Sequence, residues 1–308
     1  FGFKSRGLGD VYKRQELNRL ILGKETSLRL ALTCIFADGH LLVEDLPGMG
    51  KTTLAQGLAK VLGLKYTRVQ FTSDLLPSDL IGTSIFEPDT RQFRFHAGPI
   101  FSQLLMADEL NRATPRAQSA LLEAMEERQV SSDGKTRALP EPFFVIATQN
   151  PQAQAGTFPL PESQLDRFLM RIRLGYPDPR SERSLLQGEV GRSVLAQIRQ
   201  VITVEALLKI QQQIAGIKAS EALLDYVQRL VELTRNTDLC QLGLSPRGAI
   251  ALLRSAQSWA MIQGRDYVLP EDVQAVFVAV AGHRIIGSAE RHGDQLARQI
   301  LSRIDVVA

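Results

Sequence analysis

Cysteine is scarce, with only Cys34 and Cys240 among 308 residues. Both lie in apolar surroundings without metal-ligand spacing, and they read as buried reduced thiols of a cytoplasmic protein rather than a disulfide framework. Long apolar runs are missing too. None approaches the ~18 residues of a membrane span and no secretory signal is visible, so no membrane insertion is expected. Charge of one sign is also lacking: 36 Lys and Arg stand against 33 Asp and Glu, interspersed, for a net charge of only +3. That balance gives no support to a nucleic-acid surface. What is there is ordinary for a folded protein. Apolar residues make up 44% and charged residues 22%, which excludes disorder. The length suggests about two domains, and there is no internal repeat or low-complexity tract.

Residues 1–15 (FGFKSRGLGDVYKRQ) show neither a helical nor an alternating period. They read as a non-native leader, and the fold is argued without them. From Leu17 to Ala37 the pattern predicts a helix, followed by the short apolar run Leu41-Leu42-Val43 of a buried parallel strand. A glycine-rich turn leads into a second helix with Leu54, Ala55, Leu58, Val61 and Leu62 on one face. Further buried strands are expected at Tyr66–Phe71, Leu104–Ala107, Phe143–Thr148 and Phe168–Leu174, and strands alternating with helices imply an α/β, mostly parallel sheet. After Asp178-Pro179 the strand signals stop. Three helical faces follow, at Leu223, Leu224, Val227, Leu230 and Val231; at Ala249, Leu252, Leu253, Ala256 and Ala260; and at Val273, Val276, Phe277, Val280 and Ala281. Ser245-Pro246 and Pro270-Glu271-Asp272 mark helix starts. The second domain is therefore expected to be a helical bundle.

The segment Asp45-Leu46-Pro47-Gly48-Met49-Gly50-Lys51-Thr52 carries the chemistry. It follows a strand and opens a helix, the setting of a phosphate-binding loop. Gly48 and Gly50 let backbone N–H groups turn onto phosphates, Lys51 reaches the β- and γ-phosphates, and the Thr52 hydroxyl can ligate Mg2+. Pro47, Met49 and Thr53 complete the candidate nucleotide-binding stretch. One position departs from the strict pattern, which places Gly at 45, where this chain has Asp. Some fifty residues later, the apolar strand Leu104–Ala107 ends in Asp108-Glu109. Asp108 would hold the Mg2+ shell and Glu109 would polarise the attacking water. Asn150, just past another buried strand, either initiates a turn before Pro151 or orients that water.

These elements resemble AAA+ ATPases, and their wording is similar to the MoxR group. The similar passages are GHLLVEDLPGMGKTTLA (39–55), FTSDLLPSDLIGTSIFEPDTRQFRFHAGPIF (71–101), ADELNRATPRAQSALLEAMEE (107–127), ATQNPQAQAGTFPLPESQLDRFLMRI (147–172) and LSPRGAIAL (244–252). The resemblance implies an AAA+ core over 16–177, with hairpin insertions, and an all-α lid over 178–308. It implies ATP and Mg2+ as ligands and self-assembly into a ring, six copies by default. It also implies a protein client handled with a partner carrying a von Willebrand factor A domain. Arg167 looks like an arginine finger lent to an adjacent subunit; read without the resemblance, it is a surface arginine paired with a carboxylate such as Glu162 or Asp166. Arg247 resembles a sensor arginine, and it falls in a helix's first turn, where an anion is favoured. Gly23 resembles the segment that packs against adenine. Residues 81–96 and 128–139, the latter with Asp133-Gly134 as its turn, match two insert hairpins that in the wider clade face a central pore.

Three functions remain open at this point. One is an ATP-driven remodeller of protein complexes. Another is a nucleic-acid motor, which the mixed charges of both hairpins disfavour. The third is a nucleotide-gated scaffold, which Glu109, Asn150 and Arg167 together weigh against.

Overall fold

The computed structural model describes residues 24–151, 156–187, 192–235, 239–287 and 293–306. Residues 1–15, the start of the helix predicted from Leu17, and Gly23 lie outside the described residues. Helices in chain order are α1 (Glu25–Phe36), α2 (Lys51–Leu62), α3 (Pro77–Ile81), α4 (Pro115–Glu127), α5 (Glu162–Leu165), α6 (Pro179–Leu186), α7 (Arg192–Gln197), α8 (Val204–Ile214), α9 (Glu221–Thr234), α10 (Pro246–Ile262), α11 (Pro270–Ala281) and α12 (Gly293–Leu301). Strands are β1 (Leu41–Glu44), β2 (Tyr66–Gln70), β3 (Gly82–Glu87), β4 (Gln92–Ala97), β5 (Leu104–Asp108), β6 (Gln129–Ser132), β7 (Lys135–Ala138), β8 (Phe144–Gln149), β9 (Met170–Ile172), β10 (Cys240–Leu242) and β11 (Ile286–Gly287).

Five strands form a parallel sheet in the order β2-β5-β8-β1-β9. The continuous apolar runs follow from burial on both faces. Leu41, Val43, Leu104, Met106, Phe144 and Ile146 join one core with α1 and α2. Their alternates Leu42, Leu105, Ala107, Val145 and Ala147 join a second core with α4. Each such side chain contributes roughly 1.5–3 kcal/mol by leaving water, so register is fixed: a one-residue slip would exchange the two cores. The expected strand at Tyr66–Phe71 forms, but as the sheet's edge, so β2 is half-exposed instead of buried.

The first core continues without a break into the helical C-terminal part, through Leu223, Leu230, Leu252, Ala256, Val273, Val276 and Phe277. Leu224, read as part of that face, is exposed instead. A short antiparallel ribbon, β10 with β11, interrupts the helices. Both helix starts sit where expected. Ser245 Oγ accepts from Gly248 N at 3.0 Å, and Asp272 Oδ2 accepts from Leu269 N at 2.7 Å. An ionic network ties α12 to the sheet: Arg171 and Arg173 both reach Glu44 on β1 and Asp294 on α12.

Both expected hairpins form. In the second, Ser132 pairs Lys135 across Asp133-Gly134, whose φ values of 54° and 70° are those of a two-residue turn that demands this chemistry. The hairpins lean together through Ser84 Oγ on Asp133 Oδ2 (2.5 Å) and the Arg137 guanidinium over Phe95 (3.7 Å). Cys34 and Cys240 are free and buried. Among the described residues no helix is long and apolar enough to cross a membrane.

Candidate nucleotide site and a distant arginine pair

The loop between β1 and α2 turns on Gly48 and Gly50, at φ +84° and +86°. No neighbouring atom lies within 4 Å of a Cβ placed at either, so torsion and not crowding selects glycine. Gly50 caps α2, and the first-turn amides of Lys51, Thr52 and Thr53 precede the first i−4 bond, Leu54 N to Gly50 O at 2.9 Å. Such amides have no intrahelical acceptor and present a positive helix end. Pro47 is exposed, while Met49, Lys51, Thr52 and Thr53 are half-buried along the same stretch.

Asp45 explains its own departure from the glycine pattern. It lacks a positive φ, and its carboxylate accepts three backbone N–H groups: Leu46 at 3.0 Å, Leu174 at 2.6 Å and Gly175 at 2.6 Å. The loop's base is thereby clamped to the chain leaving β9. Lys51 Nζ donates to Asp45 O at 2.8 Å. Burial lowers the Lys51 pKa, while the charges of Asp108, Asp45 and Glu109 oppose that shift. Lysine and both acids therefore share one field.

Asp108 and Glu109 stand at the tip of β5. Asp108 Oδ1 accepts from Thr148 Oγ1 at 2.5 Å, and Oδ2 accepts from Arg68 Nη2 at 2.6 Å. Glu109 sits at φ +55°, an uncommon conformation for a residue other than glycine. Its amide donates to Thr148 Oγ1 at 2.9 Å, and its Oε2 accepts from Gln70 Nε2 and Arg112 Nη1, both at 2.9 Å. Thr148, on the neighbouring β8, thus sets both acids at once. Asn150 follows the tip of β8, between β5 and β1, and its carbonyl accepts from Asn111 Nδ2 at 3.3 Å. Thr52 and Asp108 offer hard oxygen donors, the set that suits Mg2+ shared with substrate phosphates. Among the described residues no cluster of three or more metal-ligating acids, histidines or cysteines forms.

Arg167 and Arg247 are placed elsewhere. Arg167 Nη2 lies 3.1 Å from Glu126 Oε2, and Arg247 Nη2 lies 2.6 Å from Glu126 Oε1. The Arg247 hydrogen bond, ahead of burial and other charges, holds the Glu126 carboxyl below its usual range. Arg167 is thus paired with a carboxylate, as the surface reading expects, and that carboxylate is Glu126 rather than Glu162 or Asp166. Asp166 binds Arg284 instead, at 2.6 Å. Arg284 is buried and also donates to the carbonyls of Asp166, Phe168 and Leu169, which brace the turn that carries Arg167. Glu126 lies in the last turn of α4, at the amino ends of the strands and so at the opposite end of the sheet from the loop. There, buried His40, just before β1, bridges Met125 O (3.1 Å) and Val145 N (3.1 Å), and Arg128 bonds Asp38 O at 3.1 Å.

Sequence reading missed Thr148, Arg68, Gln70, Glu126 and Arg284. Only Thr148 left a local trace, as a hydroxyl inside a buried apolar strand, where it must find partners.

Comparison with known proteins adds to this geometry. Residues 40–170 match the model of the ATPase family associated with various cellular activities (AAA), and residues 232–304 match that of the AAA lid domain. A Bacillus subtilis protein called YeaC, itself uncharacterised, is 41% identical, covering 95% of this chain and 93% of its own. Chaperone MoxR1 of Mycobacterium tuberculosis is 39% identical over 93% of this chain and 78% of its own. A chain from Cytophaga hutchinsonii, solved as a candidate ATPase, superposes with a TM-score of 0.88 at 37% identity, covering 98% of this chain and 96% of that one.

Proposed function

The chain belongs to the MoxR family of AAA+ ATPases, and from that premise we propose that it hydrolyses ATP in a ring of copies to drive chaperone-like remodelling of protein complexes. The supporting observation is that Lys51 shares one field with Asp108 and Glu109 at the carboxyl end of the sheet, with Thr148 on the intervening β8 bonded to both acids. In this reading the first-turn amides and Lys51 bind the phosphates, with ATPase core and lid divided near residue 178. Thr52 and Asp108 would hold Mg2+, which would supply charge neutralisation to the phosphates when bound. Arg68 shares Asp108 Oδ2 and so competes with the cation. Glu109 orients the attacking water, helped by Asn150, and its grip by Gln70 and Arg112 must loosen for it to do so.

Arg167 and Arg247 stand across the sheet from their own phosphate loop, and this placement favours a role for both at the site of an adjacent copy. A cation lent in this way can contribute 10³–10⁵ in rate. The name of the M. tuberculosis relative supports a chaperone role. A partner with a von Willebrand factor A domain and six copies in the ring remain part of the proposal, as does a cytoplasmic setting.

The test is steady-state ATP hydrolysis with Mg2+ over a range of protein concentrations, beside Arg167→Ala. Specific activity should climb with concentration in the wild type. In the variant it should fall at least 10³-fold while ATP binding persists. Wild-type turnover by Arg167→Ala would remove that arginine from the mechanism.

A further inference from the structure

Two guanidinium groups from separate elements meet one carboxylate at Glu126, and this meeting is not explained by the assignment of the arginines alone. Arg167 comes from the turn before β9, Arg247 from the first turn of α10, and Glu126 from the last turn of α4. Like charges drawn this close repel unless an anion lies between them. Each of the three elements is also anchored by its own contacts. Arg284 fixes the turn before β9 through the carbonyls of Asp166, Phe168 and Leu169. Ser245 Oγ caps α10. His40 and Arg128 tie down the end of α4, through Met125 O and Asp38 O respectively. The side chains themselves remain solvent-accessible: Glu126 is 32% exposed, Arg167 29% and Arg247 55%. Surface ion pairs add little stability, so a three-element convergence at such a place serves geometry more than folding.

We infer that Glu126 is a positioning residue: it gathers Arg167 and Arg247 into one convergent pair aimed at the terminal phosphate of a nucleotide bound by an adjacent copy. The carboxylate occupies the focus between the two cations and keeps their rotamers selected before the neighbour's phosphate arrives. Lost orientation of a charged group is costly in rate even where binding is unaffected. The inference rests on the proposed action of the arginines across a subunit boundary.

Glu126→Gln keeps the shape and removes the charge. Its thermal midpoint should match the wild type, which separates positioning from folding. Its kcat should fall about tenfold with KM for ATP unchanged, because ATP is held by the other end of the sheet. In an Arg247→Ala background the same substitution should cost less than in the wild type, because only Arg167 is left to position, whereas a purely structural role would subtract equally in both. Mixing supplies the decisive arm. Glu109→Gln subunits cannot turn over their own ATP but carry an intact Glu126 and both arginines. Added to Glu126→Gln subunits, they should restore turnover towards the wild-type rate per competent site. Wild-type or raised kcat in Glu126→Gln, or a loss that mixing does not repair, overturns the inference while leaving the arginine assignment standing. Wild-type turnover in Arg167→Ala and Arg247→Ala would instead overturn the reading beneath it.

Discussion

Gly48 and Gly50 hold their geometry by backbone torsion between a buried strand and a helix, whereas Arg167 and Arg247 hold theirs by side chains meeting at a solvent-accessible carboxylate. The phosphate loop thus takes its shape from backbone torsion and needs no side-chain partner to aim its amides. The arginine pair is set by ion pairing, which salt and neighbouring charges can redirect. A binding half made from backbone and a donated half made from side chains suit different tasks. In the proposed function the first would hold the same phosphates at every turnover, and the second would engage and release another copy.

The largest break in this contrast should come from Lys51→Ala, which removes the loop cation proposed to bind the phosphates. Nucleotide affinity should drop by at least 10²-fold in equilibrium titration with a fluorescent ATP analogue. Glu109→Gln should separate the halves in the other direction: ATP binding stays near wild type while single-turnover hydrolysis falls by 10² or more. Asp45→Ala tests the clamp at the loop's base. It leaves the N–H groups of Leu174 and Gly175 without their charged acceptor, at about 2–4 kcal/mol, and should lower the thermal midpoint by roughly 5–10 °C. A midpoint within a degree of wild type would mean that the clamp is not structural.

The smallest effect concerns acid and the arginine half. Burial, aided by the Arg128 charge, pushes His40 down to about 3, so the folded protein keeps it neutral. An unfolded chain binds the proton near its ordinary pKa of about 6.5, so between pH 6.5 and 3 the unfolded state binds more protons. Stability from this group is complete above pH 6.5 and declines as pH falls, by at most about 1.4 kcal/mol per unit. Protonation would set an N–H against the Val145 amide and loosen the end of α4 that carries Glu126. Urea midpoints should therefore fall more steeply with acidification in the wild type than in His40→Gln. Parallel slopes would exclude His40 as the source.

The same contrast explains what was legible in the sequence. Gly48, Gly50, Lys51, Asp108 and Glu109 could be read because torsion and strand ends are local, written within a few consecutive residues. The alternation of Leu104 to Ala107 between two cores was hidden, because a strand buried on both faces shows an unbroken apolar run. Tyr66 to Phe71 looked like such a run, yet its position at the sheet's edge depends on strand order, which no window of sequence carries. Glu126 was invisible for a stronger reason. Its two partners lie 41 and 121 residues away, and a glutamate at the end of an amphipathic helix is the most ordinary surface residue. Asp45 was read as a defect in the glycine pattern, and its three amide bonds show it to be a substitution that uses an ordinary φ to make a joint.

That joint has a mechanical meaning. Leu174 and Gly175 are where the chain leaves the sheet for the C-terminal helices, and Asp45 is where it enters the phosphate loop. With one carboxylate holding both, there is no slack between them. A swing of the helical part would be delivered to the loop as torque at its first residue, instead of dissipating in a linker. By the same coupling, a shift of the loop would be felt where the chain enters the helices, with one aspartate as the hinge pin between them.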